Sequence, residues 1–141
     1  MTTIEYLSKI KEYDIRIDRK IAEKTRLREI ACSTGGIADI EKVKSSAKQD
    51  KLGETIAKIL DAEKEIDRII DIYVAKKQMI INQIDQIEDI EQYDVLHLSY
   101  IDGCSIKECA KIKDCSARKI SDLRKKAMNT FEKKFGKLYC A

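Results

Sequence analysis

The sequence predicts an all-α fold with two parts. A long N-terminal helical hairpin, forming a coiled coil or bundle, is expected over residues 1–88, and a C-terminal helix-turn-helix domain over 89–141. Three observations lead to this prediction: the 141 residues include no proline and only five glycines, 38% of them are charged, and apolar side chains recur at helical spacing. All-β folds need frequent turn residues, whereas a chain poor in proline and glycine favours long helices.

The first helix is predicted over about residues 3–32. Thr2 followed by Glu5 fits a capping box, in which each side chain bonds the free backbone amide of the other residue. Lys20 and Lys24 interrupt an otherwise helical series of apolar residues. That series comprises Tyr6, Ile10, Tyr13, Ile17, Leu27 and Ala31.

A mobile connection is predicted over residues 33–51. Gly35-Gly36 ends the first helix, because glycine adopts the left-handed conformation that closes helices. The residues that follow are mostly small or charged and offer little to bury. A short helical turn near Ile37 and Ile40 fits within this stretch.

The second long helix has the clearest pattern in the chain. Eleven positions follow a strict spacing of three and four residues, and nine of them are apolar, which is typical of a coiled-coil seam. Glu63 and Lys77 are the two exceptions. The seam positions are 52, 56, 59, 63, 66, 70, 73, 77, 80, 84 and 87.

The apolar stripe of this helix is wider than one seam, because Leu60, Ile69, Val74 and Ile81 flank it. A stripe of this width requires two or more neighbouring helices, as in a bundle. The first helix folds back as one neighbour. The other is either a second copy of the protein or the C-terminal domain, and we expect a homodimer.

Three shorter helices are predicted after residue 88. The first begins near Asp89, and Asp102-Gly103 marks the turn after it. Ser105 with Glu108 forms a second capping box, and Ser116 is a good N-cap for the last helix. The middle helix is expected to bury Ile106, Cys109, Ala110 and Ile112, and the last helix Ile120, Leu123, Ala127, Met128, Phe131 and Phe135.

The last two helices have the spacing of a helix-turn-helix. Ala110 is the small residue where the helices cross, and Ile120 is the apolar anchor ten residues later. Asp114 stands at the turn position, which is usually glycine, and Asp tolerates the left-handed conformation better than most residues. Lys113 occupies a position that is usually apolar, with Ile112 one step early. These two departures leave the turn geometry open.

Positive charge is concentrated towards the C-terminus. Residues 92–141 hold eleven basic and six acidic side chains, whereas residues 1–91 hold seventeen and nineteen. Between 115 and 137 the ratio is eight to two. Such asymmetry indicates that only the C-terminal part faces a polyanion, and a helix-turn-helix makes double-stranded DNA the expected partner.

The last helix supplies the predicted DNA contacts. The residues predicted to read bases are Ala117, Arg118, Ser121, Asp122 and Lys125. The residues predicted to contact phosphates are Lys107, Lys119, Arg124 and Lys126. Arg118 can bond guanine O6 and N7, while Asp122 can accept from cytosine N4 or pair with Arg118 instead. In the alternative interpretation, this helix is only a solvated, lysine-rich face.

The residues of this module resemble region 4 of sigma-70-type factors, which reads a promoter element with its last helix. The features that carry the resemblance lie between Tyr93 and Ala127: Leu96, Tyr100-Ile101-Asp102-Gly103, Ser105 to Ala110, and Cys115-Ser116. Nearly the whole chain, including a helix near the start and Glu54 to Ile59, is similar to a family of small uncharacterised phage proteins. That family occurs in phages of Gram-positive bacteria and is related to the RinA/ArpU late-gene regulators. The resemblance implies a phage or prophage transcription regulator.

No cofactor, metal or enzymatic activity is expected. His97, Cys104, Cys109 and Cys115 lack the paired spacing of structural zinc ligands. No glycine-rich phosphate loop follows a strand, and the single histidine has no nucleophile arranged with it. We therefore expect a protein that binds other macromolecules.

The chain is expected in the cytoplasm of a bacterial host, without a membrane span or signal peptide, because its apolar runs are short. Two hypotheses follow for its function. The first is a dimeric, sequence-specific DNA-binding transcription regulator. The alternative is a protein-interaction module that binds RNA polymerase or a sigma factor through the coiled coil.

Overall fold

The computed structural model describes residues 1–34 and 46–140, and every regular element within these ranges is helical. The α-helices are α1 (Thr3–Thr34), α2 (Ser46–Asp85), α3 (Ile90–Leu96), α4 (Ile106–Lys113) and α5 (Ala117–Phe135). A π-helical turn, His97–Ile101, continues α3, and a 3-10 turn, Gly136–Leu138, follows α5. The predicted all-α fold is confirmed.

The capping box at the start of α1 forms as predicted. The backbone amide of Glu5 donates to Thr2 Oγ1 over 3.2 Å, and the amide of Thr2 donates to Glu5 Oε2 over 3.1 Å. Two of the amides that a helix start leaves unpaired are thereby satisfied.

Both long helices extend further than predicted. α2 begins at Ser46 rather than near residue 52, and α1 continues to Thr34. The residues gained by α2 include Ala47, Lys48 and Gln49, which have high helix propensity, and extending an existing helix is far easier than starting one. The turn expected near Ile37 and Ile40 lies outside the described residues.

The seam predicted along α2 is confirmed. All eleven of its positions are buried or half-buried, including Ile87, which lies just beyond the end of the helix. The flanking positions differ from one another. Ile69 and Ile81 are half-buried, whereas Leu60 and Val74 are exposed by 52% and 46%. The described neighbours therefore cover the seam and leave part of the wider stripe uncovered.

The chain forms two compact units with a boundary different from the predicted one at residue 88. The first unit joins Met1–Asp14 to Ala75–Ala141, and the second unit is Ile15–Val74. The ends of both long helices thus belong with the C-terminal helices. A stretch of about 50 residues makes a marginal domain, and the ends of the long helices enlarge the core that the C-terminal helices share.

The core of the first unit is shared by all its helices. α1 contributes Tyr6, Leu7 and Ile10, and the end of α2 with the residue after it contributes Ile80, Ile84 and Ile87. From the C-terminal helices come Val95, Leu96, Tyr100, Cys109, Ile120, Ala127 and Phe131. Of the two neighbours considered for α2, the C-terminal domain is therefore the one that covers this end.

Aromatic and polar contacts tie the start of α1 to the C-terminal segment of the first unit. The Tyr6 ring stacks on that of Tyr139 with 4.2 Å between centroids, and Tyr6 Oη donates to Gln83 Oε1 over 2.6 Å. The hydroxyls of Thr3 and Tyr139 are hydrogen-bonded at 2.9 Å. Burial raises the pKa of Tyr6, although the bond to Gln83 partly opposes the shift.

In the second unit, α1 and α2 run antiparallel and are joined by ion pairs. Lys24 Nζ lies 2.8 Å from Asp67 Oδ1, and Arg28 Nε lies 3.1 Å from Glu63 Oε1. Lys20 and Lys24, which interrupt the apolar series of α1, are half-buried along the seam. Their charges are matched by carboxylates on α2 or on the next turn of α1.

Candidate nucleic-acid interface

The turn between α4 and α5 is a Schellman motif with aspartate in place of glycine. Asp114 has φ 51° and ψ 55°, in the left-handed region. Its amide bonds the carbonyl of Lys111 over 3.3 Å, and the amide of Cys115 bonds the carbonyl of Ala110 over 3.0 Å. These two bonds define the motif and satisfy the last carbonyls of α4. The tight turn that the sequence left open is therefore formed.

Serine caps begin both helices of the motif, as predicted. Ser105 Oγ accepts from the amide of Glu108 over 3.2 Å, and Ser116 Oγ accepts from the amide of Lys119 over 3.1 Å. The turn before α4 uses Gly103, whose φ is 71°. These local signals fix where α4 and α5 begin.

Lys113 replaces the usual apolar residue of the motif with a shielded ion pair. Its side chain is only 12% exposed, and its Nζ lies 2.5 Å from Asp94 Oδ2 and 3.2 Å from Glu91 Oε2 on α3. The hydrogen bond to Asp94 is the main reason that the pKa of Lys113 is raised. The expectation that Ile112 points inward is wrong, because it is 60% exposed.

The inward face of α5 matches the prediction. Ile120, Ala127 and Phe131 are buried, while Leu123, Met128 and Phe135 pack half-buried against the same core. Cys109 of α4 is also buried, and Ala110 and Ile106 pack beside it. The opposite face of α5 is consequently turned to solvent along its first three turns.

The residues predicted to read bases all lie in these first three turns. Ala117, Arg118, Asp122 and Lys125 are exposed, and Ser121 is half-buried. Arg118 and Asp122 line a groove of about 510 Å³, between α5 and Glu91 of α3. Ser121 and Lys125 line a smaller, more apolar groove on the other flank of the helix. The predicted set therefore spans the exposed ridge of α5.

The residues predicted to contact phosphates have two different environments. Lys107, Lys119 and Lys126 are exposed, and the last two share the groove of Arg118. Arg124 is half-buried, with its guanidinium carbon 5.1 Å from the centre of the Tyr100 ring. This cation–π contact restricts the side chain of Arg124 before any ligand is present.

α5 differs from the rest of the chain in its charge pairing. It carries seven basic side chains and two acidic ones, and none of them enters an ion pair with another described residue. In particular, Arg118 and Asp122 do not pair with each other. By contrast, the hairpin matches Lys20, Lys24, Arg28, Arg68 and Lys77 with carboxylates. The positive charge of α5 is therefore uncompensated.

The histidine and cysteines of this region differ in burial and in their contacts. Cys109 is buried, Cys104 and Cys115 are half-buried, and His97 Nδ1 lies 3.2 Å from Asp102 Oδ2. Burial raises the pKa of Cys104, which disfavours the reactive thiolate. Within residues 1–34 and 46–140, no group of three or more His, Cys, Asp or Glu side chains is placed to hold a metal ion.

Sequence reasoning missed two contributors to this surface. Glu91 and Lys11 line grooves beside α5, yet they lie 27 and 107 residues before Arg118 and belong to other helices. No local pattern marks either residue.

None of the described helices has the length and apolarity that crossing a lipid bilayer requires. The chain matches no protein-family model, no curated protein and no solved structure.

Proposed function

We propose that the protein is a sequence-specific DNA-binding transcription regulator with α5 as its recognition helix. The observation that carries this proposal is the uncompensated charge of α5 on a capped helix that follows a tight turn from α4. A recognition helix needs exposed donors that are not already engaged with acidic neighbours, because DNA phosphates and base edges must supply their partners.

Arg118 and Asp122 are the proposed specificity residues. They are exposed, one turn apart and free of each other, so the guanidinium can bond a guanine in a fork while the carboxylate accepts from a cytosine amine. Lys119 and Lys126 are proposed to contact phosphates along the same groove. The resemblance to region 4 of sigma-70-type factors supports this assignment. The similarity to small phage proteins supports a phage or prophage origin, with the cytoplasm of a bacterial host as the proposed place of action.

Fluorescence anisotropy on fragments of the replicon that encodes the protein, at two salt concentrations, tests the proposal. We expect selective binding to one fragment that survives the higher salt. Arg118→Ala should relax selectivity and cost roughly 1–3 kcal/mol, whereas Lys126→Ala should weaken binding to all fragments and flatten the salt dependence. Lys58→Ala, which removes an exposed lysine from the second unit, serves as the charge control.

Two results would contradict the proposal. Equal binding to all fragments that disappears at higher salt would mean that a basic helix merely attracts a polyanion. Normal selectivity in both the Arg118 and the Lys126 variants would remove α5 from the role of reader.

We further propose that the protein acts as a homodimer through the second unit. Leu60 and Val74 lie two heptads apart on one edge of α2, separated by roughly 21 Å along the helix, and both are exposed. A coiled-coil edge of this kind is covered when hairpins pair into a four-helix bundle. A symmetric dimer would present two recognition helices to two half-sites.

The same exposed edge favours the second candidate function. If a different protein rather than a second copy covers Leu60 and Val74, the chain is an interaction module that binds RNA polymerase or a sigma factor. The oligomeric state in solution separates these two possibilities.

A further inference from the structure

A groove of about 390 Å³ lies on the surface of the first unit, and charged and hydroxyl side chains contribute to its lining. Its walls come from three parts of the chain that are distant in sequence. Ser8 and Lys11 belong to α1, Ser99 and Gly103 to the π-helical turn and the turn after it, and Arg124 to α5. Gly103 is two residues before Ser105, the N-cap of α4.

The groove is lined by two cations and two carboxylates, and with Lys77 beside Asp14 the local charge is positive by one when His97 is neutral. Its two carboxylates are already engaged, because Asp14 pairs with Lys77 and Asp102 lies 3.2 Å from His97. Lys11 is exposed and has no acidic partner among residues 1–34 and 46–140. Arg124, the other cation, is positioned by the Tyr100 ring. Two cations with serine hydroxyls nearby suit a phosphate diester, which accepts hydrogen bonds and carries one negative charge.

We propose that this groove binds a phosphate of the DNA backbone and that Lys11 of α1 is a further DNA-contacting residue. The proposal rests on the DNA-binding function proposed above and extends the interface beyond the helix-turn-helix to the first helix of the chain. In helix-turn-helix complexes the helix before the recognition helix crosses the DNA backbone. We therefore expect a DNA phosphate close to the start of α4. The groove is lined by Gly103, two residues before the N-cap of α4, and by Lys11 of α1.

Salt titration of DNA binding measures the contribution of Lys11. Each lost phosphate contact makes the slope of log K against log salt shallower by about 0.9. Raising the salt from 50 to 200 mM should therefore weaken DNA binding by Lys11→Ala about 3.5-fold less than it weakens binding by the unmodified protein. Lys11→Arg should restore the slope, and Lys58→Ala should leave it unchanged. Thermal unfolding followed by circular dichroism confirms that each variant is folded.

Duplexes that carry one neutral methylphosphonate, scanned along each strand, identify the phosphate. The unmodified protein and Arg118→Ala should both lose affinity at a backbone position where Lys11→Ala shows no further loss. Such coupling assigns the groove to a DNA phosphate rather than to free phosphate in the buffer, since the neutral group changes only the duplex.

The outcomes separate this inference from the proposed function. If the protein binds selectively and Arg118→Ala relaxes that selectivity, but Lys11→Ala keeps the full slope and couples to no phosphate, then α1 is outside the interface and the inference is overturned alone. If the unmodified protein binds no DNA at all, the proposed function is overturned and the inference with it.

Discussion

Asp114 shows how one residue can satisfy a turn that usually requires glycine. Among the described residues it is the only one with a side chain and a positive φ. The left-handed conformation brings the β-carbon close to the following carbonyl, and aspartate is one of the few residues that accept it as single positions. Forming the turn of the helix-turn-helix with aspartate therefore introduces backbone strain that glycine would avoid.

Asp114→Gly should raise the free energy of unfolding by about 0.5–1 kcal/mol. Removing the β-carbon relieves about 1–2 kcal/mol of left-handed strain, while the greater freedom of glycine in the unfolded chain takes back about 0.4–1 kcal/mol. Urea unfolding followed by circular dichroism measures the difference. Asp114→Ala should change stability in the opposite direction, and a gain in the alanine variant would refute the strain argument.

Single residues are also where sequence reasoning was most and least successful. The caps Thr2, Ser105 and Ser116 were predicted because a cap depends on residues within three positions along the chain. The role of Lys113 was not predicted, since its partner Asp94 lies nineteen residues earlier and on another helix. A pairwise contact between helices leaves no periodic trace in one sequence.

The contact between α3 and α4 illustrates the scale of whole elements. Lys113 joins the two helices through Asp94 and Glu91, and Glu91 also lines the groove of Arg118. The aliphatic part of the lysine fills the position of an apolar residue, and its ammonium group is held by the carboxylates. The ion pair thus joins α4 to α3, while α5 packs directly against α3.

Lys113→Met should preserve stability within about 1 kcal/mol at pH 7, because methionine keeps the aliphatic packing and both carboxylates are largely hydrated. The unmodified protein should nevertheless lose stability relative to the variant at alkaline pH. The pKa of Lys113 is raised in the folded protein, so its contribution is complete below the ordinary lysine pKa and declines as the pH rises through the raised one.

Urea unfolding of both proteins at pH 7, 9 and 11 gives this difference. Comparing the two proteins removes the effect of tyrosines such as Tyr6, which titrate in both. A difference that does not change with pH would show that the ion pair contributes nothing to folding.

The seam of α2 shows what an element reveals about its surroundings. Its spacing predicted which residues turn inward, and all of them are at least half-buried. The spacing could not predict what covers them, because the same heptad pattern serves a hairpin partner, a second copy or another domain. Near Ile80 and Ile84 the seam is covered by the C-terminal helices, whereas the expected homodimer would place a second copy of the chain there.

At the scale of the whole molecule, the division into units was the part least accessible from sequence. The predicted boundary at residue 88 followed a change in pattern and charge. The structural boundary follows packing, and it assigns Met1–Asp14 to the unit that also contains α5. Which residues share a core depends on contacts such as Tyr6 with Phe131, more than a hundred residues apart, and local rules do not reach that far.

The exposed edge of α2 gives a prediction at this scale. Light scattering should give the mass of a dimer, and replacing both Leu60 and Val74 by Gln should shift the protein to monomer while its helicity is retained. Ile112→Gln, which replaces an equally exposed isoleucine in the first unit, is the matched control. A monomer that binds a hydrophobic dye strongly would overturn the dimer and favour a different protein partner.

The shared core of the first unit also determines the order in which the chain can fold. The second unit is a continuous stretch, Ile15–Val74, which lies along the sequence between the two segments of the first unit. The first unit requires contacts between residues as distant in sequence as Thr3 and Tyr139. Forming such contacts costs the conformational entropy of closing a very long loop. On the ribosome, the hairpin residues are available to pair well before α5 has been synthesised. α5, the helix proposed to read DNA, is therefore the last to pack, and the core that it joins includes the start of α1, which is synthesised first.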